Sequence, residues 1–267
     1  MANEPARAPR RRAPLPAQAL PPALLRPLLS AWMLVLLVWL GLISLSWNAT
    51  AFLLQWLPLP PARRHAIGRA GIAYGYRFYW ACARASGLMR LEADALDALR
   101  DDPGGVIIAA NHPSLLDALM LVARLPRSVC VMKGALMRNV FLGAGARLAG
   151  YIVNDSPRQM IRAAVDSLQA GGQLIVFPEG TRSPGPGGTL HPLRPGLTLI
   201  AQRAGVPIQT VLIETDSPYL GKGWPLWRLP PLPIVFRARL GERFPPEADH
   251  EALLARLEDY FRKELGE

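Results

Sequence analysis

The stretch that decides the fold is VIIAANHPSLLD, residues 106–117, in which an apolar run passes directly into polar residues. Its first part, residues 106–110, is β-branched or small throughout and predicts a strand buried on both faces. Such strands are typical of parallel sheets that are covered by helices. Ligands of open α/β sheets bind at the carboxyl ends of the strands. The stretch therefore predicts a parallel sheet with polar side chains, beginning at Asn111, at its ligand-binding edge.

Similar apolar runs alternate with helical stretches through the rest of the chain. The predicted strands are residues 106–110, 128–132, 174–177, 207–213 and 233–240. The predicted helices are residues 115–124, 136–148, 158–170, 193–204 and 247–265. Strands that alternate with helices predict an α/β fold with a mixed, mostly parallel sheet flanked by helices.

The chain before residue 63 has a different composition from the rest. Residues 1–27 are rich in Pro, Ala and Arg and predict a disordered basic tail. Residues 28–62 contain no charged residue, and their apolar start reaches the lower limit for a membrane-spanning helix. We therefore predict a membrane-embedded helix or helical hairpin over residues 28–62 and one folded domain over residues 63–267.

Three interpretations of the apolar segment remain open. A cleaved signal peptide would explain the basic start and the small residues 49–51. One straight helix over the 36 uncharged residues 27–62 would be about 54 Å long, against about 30 Å of hydrocarbon. A hairpin that turns at residues 41–48 would return both ends to one side. Because Arg26 and Arg63 flank the two ends, the positive-inside rule favours the hairpin and predicts the cytoplasmic face of the inner (cell) membrane.

The charge of the chain indicates an anionic partner. Thirty Lys and Arg stand against twenty Asp and Glu, giving a formal net charge of +10. Zinc-finger spacing, aromatic RNA-binding signatures and a basic recognition helix are absent from the sequence, so we expect no nucleic-acid partner. The arginines lie beside apolar and aromatic stretches, which favours the anionic inner-leaflet surface of a membrane.

His112 and Asp117 are the candidate catalytic pair. An Asp five residues after a His, across the start of a helix, can reach back to one imidazole nitrogen and leave the other free as a base. Alternatively, His112 caps the helix and Asp117 is a surface charge. Asp117 stands between apolar neighbours, Leu116 and Ala118, and a carboxylate in such a setting needs a partner. The pattern therefore favours the catalytic pair.

A second run, LIVFPEGTRS at residues 174–183, has the same strand-then-polar design. Arg182 lies in a loop of small residues and suits bidentate binding of a phosphate. Glu179 is a candidate hydrogen-bond partner for a substrate hydroxyl.

Together the two runs resemble the lysophospholipid acyltransferase superfamily, whose type member is 1-acylglycerol-3-phosphate O-acyltransferase. The family's Asn-His-x-x-x-x-Asp motif is matched by Asn111, His112 and Asp117, with Ser114 in its usual place. Its Phe-Pro-Glu-Gly-Thr-Arg-Ser motif is matched at every position of residues 177–183. The resemblance makes residues 63–267 the acyltransferase domain.

The resemblance implies transfer of a fatty acyl group from acyl-CoA or acyl carrier protein to 1-acyl-sn-glycerol-3-phosphate, giving phosphatidic acid. His112, oriented by Asp117, would remove the proton from the acceptor hydroxyl. No metal and no cofactor beyond the acyl donor are implied. The implied substrate-binding residues are Ser114, Lys133, Glu179, Gly180, Thr181 and Arg182.

One departure from the family pattern concerns the acceptor. The sequence has Ser156 where the family often has an Arg that helps to hold the acceptor phosphate; Arg158 and Lys133 are candidate replacements. The departure keeps open acylation of another acceptor, such as lyso-ornithine lipid or another specialised bacterial lipid. Two other classes are a non-enzymatic membrane tether and a metal-dependent hydrolase, but the hydrolase lacks a second His at ligand spacing.

Overall fold

Seven strands form one sheet in the computed structural model of the chain, which describes residues 18–102, 104–184 and 190–266. In spatial order they are β1 (Met89–Glu92), β7 (Ile234–Phe244), β6 (Ile208–Glu214), β2 (Val106–Ala110), β5 (Gln173–Val176), β3 (Ser128–Met132) and β4 (Ile152–Val153). Every neighbouring pair is parallel except β6 and β7, which are antiparallel. The predicted mixed, mostly parallel sheet is confirmed.

Helices flank this sheet on both faces. They are α1 (Arg26–Leu54), α2 (Pro61–Ala85), α3 (Leu116–Arg124), α4 (Gly134–Met137), α5 (Gly143–Ala149), α6 (Pro157–Gln169), α7 (Gly196–Ala204) and α8 (His250–Leu265). The helix predicted over residues 136–148 is wrong, because α4 and α5 are separate. Between them, the side chain of Asn139 accepts a hydrogen bond from the Phe141 N–H at 2.8 Å, a local turn that competes with the helix.

Strand β2 lies between two apolar cores. Ile108 and Ala110 join the cluster under α2 and α3, whereas Ile107 and Ala109 join the cluster under α6, α7 and α8. All five residues of β2 are buried, as expected for a central parallel strand. The carboxyl end of β2 therefore opens in the middle of the sheet edge.

The predicted turn at residues 41–48 is wrong, because α1 runs unbroken through it. One helix therefore occupies most of residues 28–62, and the hairpin that we predicted within them is wrong. The chain reverses after that helix, between Leu54 and Pro61, and α2 packs back against α1. Packing overrides the local turn signals of this stretch. The Asn48 side chain accepts from the Gly145 N–H at 2.9 Å, and the Trp47 ring lies against Gly71, where a Cβ would collide with it.

One face of α1 is apolar and exposed. The helix is about 43 Å long at 1.5 Å per residue, and residues 23–54 have a mean hydropathy of 2.4 in their most apolar window. Only 11% of that window is buried. By length and composition the helix is compatible with membrane association.

The part of the predicted disordered tail that the structure describes is ordered. Residues 1–17 lie outside the described residues, but Ala19 forms a two-way backbone bridge with Leu232. A short 3₁₀ turn, Ala23–Leu25, then leads into α1. The N-terminal boundary of the folded part therefore precedes residue 27.

Candidate active site

The predicted pair of His112 and Asp117 meets at the carboxyl end of β2. The Nδ1–H of His112 donates to Oδ2 of Asp117 at 3.0 Å. The His112 side chain is 15% exposed and the Asp117 side chain is fully buried. A neutral imidazole held through Nδ1 carries its lone pair on Nε2. The pair therefore has the arrangement of an oriented general base.

Aromatic packing and the following turn fix this pair further. The ring of Phe177 stacks on the His112 ring, with centres 4.0 Å apart and planes 19° apart. The Ser114 N–H donates to the same Asp117 oxygen at 2.7 Å. The carboxylate is thus held by two donors before any substrate binds.

Burial has a marked effect on Asp117. Burial raises the pKa of this carboxyl above its ordinary value. The hydrogen bond to His112, the electrostatic interaction with His112 and the hydrogen bond from the Ser114 N–H each lower the pKa, but by less. The other carboxylate oxygen, Oδ1, has no hydrogen-bond partner among the described residues. The site therefore keeps an acidic group in an environment that disfavours its charge.

Ser114, predicted to contact substrate, has a different position. Its side chain is fully buried, and its hydroxyl donates to the Tyr219 carbonyl at 3.0 Å. It does not line the cavity beside His112. We correct its expected role: Ser114 fixes the turn that carries Asp117.

Glu179 requires the same correction. The residue is only 2% exposed. Its carboxylate accepts from the Ser183 hydroxyl and, at 3.2 Å, from the His191 N–H. Ser183 in turn joins the loop after β5 to the loop after β2. Its N–H donates to the His112 carbonyl and its Oγ accepts from the His112 N–H, both at 2.8 Å. Glu179 therefore holds the two motif loops together and does not face the cavity.

The remaining predicted binding residues line one cavity with His112. Its volume is about 610 Å³. Arg182 is positioned by its Nη1, which donates to the carbonyls of Leu220 and Gly221 at 2.9 and 2.8 Å. Exposed Lys133 follows the end of β3. The predicted binding residues on the cavity wall are Lys133, Gly180, Thr181 and Arg182.

The rest of the cavity is largely apolar and extends beneath α1 and α2. A stripe of α3 residues at helical spacing, Leu115, Ala118, Leu119 and Val122, forms one wall. Cys130 lies on another wall, and burial raises the pKa of its thiol to about 12, so it is not a thiolate nucleophile at neutral pH.

Sequence reasoning missed Arg194, which lines the cavity beside Gly180. Arg158, a candidate replacement for the family's Arg, does not line it. Arg194 lies twelve residues after Arg182. Its position inside a predicted helix gave no signal of this placement. In the fold, the backbone N–H of Arg194 donates to the Pro178 carbonyl at 2.8 Å, and this bond holds Arg194 beside the cavity.

Comparisons with known proteins show similarity to acyltransferases. The Acyltransferase family profile matches residues 90–214. The 1-acyl-sn-glycerol-3-phosphate acyltransferase of Helicobacter pylori is 31% identical over 118 residues, which are 42% of this chain and 49% of that protein. The protein of the same name from Neisseria gonorrhoeae is 32% identical over 145 residues, 48% of this chain and 56% of that protein. The matches thus span about half the length of these relatives.

A solved structure supports the fold over nearly the whole chain. The crystal structure of the 1-acyl-sn-glycerophosphate (LPA) acyltransferase PlsC from Thermotoga maritima has a TM-score of 0.67 at 19% identity. The similarity covers 90% of this chain and 96% of that one. Fold and site define an α/β domain with a histidine–aspartate pair at the sheet edge. Residues 90–214, just under half of the chain, are similar to the Acyltransferase family.

Proposed function

We propose that this protein transfers a fatty acyl group from an acyl thioester to the free hydroxyl of 1-acyl-sn-glycerol-3-phosphate, forming phosphatidic acid for phospholipid biosynthesis. The observation that carries the proposal is the buried Asp117 holding Nδ1 of His112 at the wall of a cavity that has cations on one part of its lining and apolar side chains on the rest. The names of the relatives supply the reaction and its acceptor.

The reaction proceeds in one acyl transfer without a covalent enzyme intermediate. Nε2 of His112 removes the acceptor's hydroxyl proton as the oxygen attacks the thioester carbonyl carbon. The buried Asp117 stabilises the imidazolium that forms. The tetrahedral intermediate then collapses, the C–S bond breaks, and His112 gives the proton to the departing thiolate of coenzyme A or acyl carrier protein. The proton that leaves the acceptor hydroxyl ends on the released thiol, so the step balances with the two substrates alone.

Binding of the acceptor uses both parts of the cavity. Lys133 and Arg182 bind the phosphate, and Gly180 and Thr181 line the same cavity. The apolar side chains along α3 accommodate an acyl chain. The arrangement suits a lipid with one anionic headgroup and a long tail.

We place the protein on the cytoplasmic face of the inner cell membrane. Large apolar side chains are exposed along α1 and on α2, among them Val38, Leu42 and Tyr74. The buried side of α1, at Met33 and Leu36, packs on the folded domain. A helix held against the domain and apolar on its outer side suits immersion in one leaflet. The net charge of +10 favours an anionic lipid surface and an anionic acyl donor.

An acceptor panel tests the proposal. Purified full-length protein in lipid vesicles would be given labelled acyl-CoA or acyl carrier protein with lysophosphatidic acid, lysophosphatidylethanolamine or lyso-ornithine lipid. We expect phosphatidic acid as the main product, with turnover unchanged by EDTA. Faster turnover of lyso-ornithine lipid would replace the proposed acceptor, and absence of transfer to every acceptor would refute the enzymatic proposal.

A further inference from the structure

The charged groups on the cavity wall are all of one sign. Among the described residues that line it, the cationic side chains are Lys133, Arg182 and Arg194, and Asp or Glu is absent. A zwitterionic headgroup carries a cation that would find no carboxylate here. A phosphomonoester carries about −1.5 to −2 charges at neutral pH and suits several cations. The lining thus favours an anionic headgroup without a positive partner.

Arg194 is held in place by its backbone. Its N–H donates to the Pro178 carbonyl at 2.8 Å, and its own carbonyl accepts from the Leu197 N–H at 3.2 Å as α7 begins. These bonds tie Arg194 to the loop that follows β5. Its side chain therefore extends from a fixed point beside the second motif.

Gly180 makes room for that side chain. Its φ is +66°, a conformation that favours glycine. A Cβ built at Gly180 would lie 3.3 Å from Nε and 3.6 Å from Cγ of Arg194. The arginine thus crosses directly over the glycine of the motif loop. A side chain at position 180 would press against it.

The guanidinium of Arg194 is also available. It is exposed and forms no hydrogen bond or ion pair with any residue of the described ranges. Two other arginines of the domain are occupied: Arg239 binds Glu214 and Glu264, and Arg182 uses Nη1 on two carbonyls. The guanidinium N–H groups of Arg194 are therefore free to donate two parallel hydrogen bonds to a ligand.

We propose that Arg194 is an additional phosphate-binding residue that determines preference for a phosphomonoester acceptor. It replaces the cation that is missing at Ser156. Ser156 precedes α6, and α6 packs on α7 with the Met160 side chain against Gly196. The cation that replaces the missing arginine therefore comes from just before the start of α7, the helix that packs on α6. This inference rests on the proposed function, since it concerns the acceptor of the same reaction.

The test compares Arg194→Gln and Arg194→Lys with a matched control, Arg203→Gln. Arg203 is an exposed arginine in the last turn of the same helix and does not line the cavity. We expect Arg194→Gln to lower kcat/KM for lysophosphatidic acid about 10–100-fold, mainly through KM. Arg194→Lys should recover part of the loss, and Arg203→Gln should match the wild type. Transfer to lysophosphatidylethanolamine should change much less.

Inhibition by sn-glycerol 3-phosphate supplies a second readout. Its inhibition constant should rise in Arg194→Gln and stay unchanged in Arg203→Gln. Equal kinetics and equal inhibition in Arg194→Gln and the control would overturn the inference while leaving the proposed function intact. Failure of the wild type to acylate lysophosphatidic acid would overturn the proposed function itself. An equal loss with both acceptors would assign Arg194 a structural role and overturn the specificity claim.

Discussion

At the scale of single residues, the catalytic role that we propose for Asp117 comes with a stability cost. Its carboxylate is fully buried, and only one of its two oxygens has partners among the described residues. Burial raises its pKa, so the folded protein disfavours the ionised form. The cost appears as pH rises from the unfolded-state pKa to the folded-state pKa and is complete above both. The proposed mechanism nevertheless requires the ionised form of Asp117 to orient His112 and stabilise its imidazolium.

Replacing this residue should separate activity from stability. Asp117→Asn keeps the shape of the side chain but cannot stabilise the imidazolium, so we expect acyl transfer to fall about 10²–10⁴-fold. Since the variant has no buried charge, its unfolding temperature at neutral pH should be equal to or higher than that of the wild type. Thermal unfolding and initial rates would be measured on the same preparations.

The pH dependence provides the control for that interpretation. Any stability advantage of Asp117→Asn should vanish in acid, below the ordinary aspartate pKa, where the wild-type carboxyl is protonated in both states. A variant that is strongly destabilised at neutral pH would contradict the charge cost. A variant that keeps full activity would contradict the role of the carboxylate.

At the scale of elements, α3 forms one wall of the apolar cavity along its length. Leu115, Ala118, Leu119 and Val122 face it from successive turns. The backbone at Val122 is about 9 Å along the helix from its first residue, at 1.5 Å per residue. A larger side chain there should obstruct the far part of an acyl chain and leave the reacting end free.

We therefore expect Val122→Phe to lower kcat/KM about tenfold for long-chain relative to short-chain acyl thioesters. The reason is that each methylene excluded from an apolar pocket loses about 1–3 kcal/mol of binding free energy. Val122→Ala is the matched enlarging variant and should not penalise long chains. The measurement is a series of thioesters of graded chain length. The same relative loss at every length would show that the cavity beside Val122 does not hold the chain.

The sequence predicts an element well when the element is determined by neighbouring residues, and poorly when it depends on contacts with distant parts of the chain. Strands β2 and β3 begin and end at the predicted residues, because their apolar runs are sharply bounded. The edge strands β1 and β4 were missed, since four and two residues carry no periodic signal. The hairpin turn was misplaced because the stretch at 41–48 finds its partners on distant elements, which a local pattern does not reveal.

The same distinction holds within the site. His112 and Asp117 are five residues apart, so spacing alone predicts their contact. Ser114 and Glu179 were assigned to substrate, but their partners are a distant carbonyl and the motif loops themselves. Arg194 was missed because only the folded path brings it over Gly180. Motifs thus identify the reacting groups better than the direction in which each side chain points.

At the scale of the whole molecule, apolar surface and positive charge act together. Helices α1 and α2 lie over one face of the sheet, and α8 lies over the other. The exposed apolar side chains of α1 therefore give the molecule one apolar side that is compatible with membrane association. A net charge of +10 adds attraction to anionic lipid that salt weakens.

Two glutamates on that side should release the protein from membranes. We expect Val38→Glu with Leu42→Glu, both on the exposed face of α1, to reduce binding to anionic vesicles at least tenfold, because each charge opposes immersion. Lys263→Glu on α8 makes the same change in net charge on the opposite face and serves as control. Vesicle co-sedimentation measures the effect. Equal loss of binding in the control would indicate a purely electrostatic attachment.

The central claim is that His112 is the base of an acyl transfer to lysophosphatidic acid. The most direct measurement is the rate of phosphatidic acid formation by full-length wild type and His112→Ala in the same vesicles. We predict that the variant keeps its fold and its vesicle binding but loses activity by about 10²–10⁴-fold. A variant that folds, binds vesicles and forms phosphatidic acid at the wild-type rate would contradict the account.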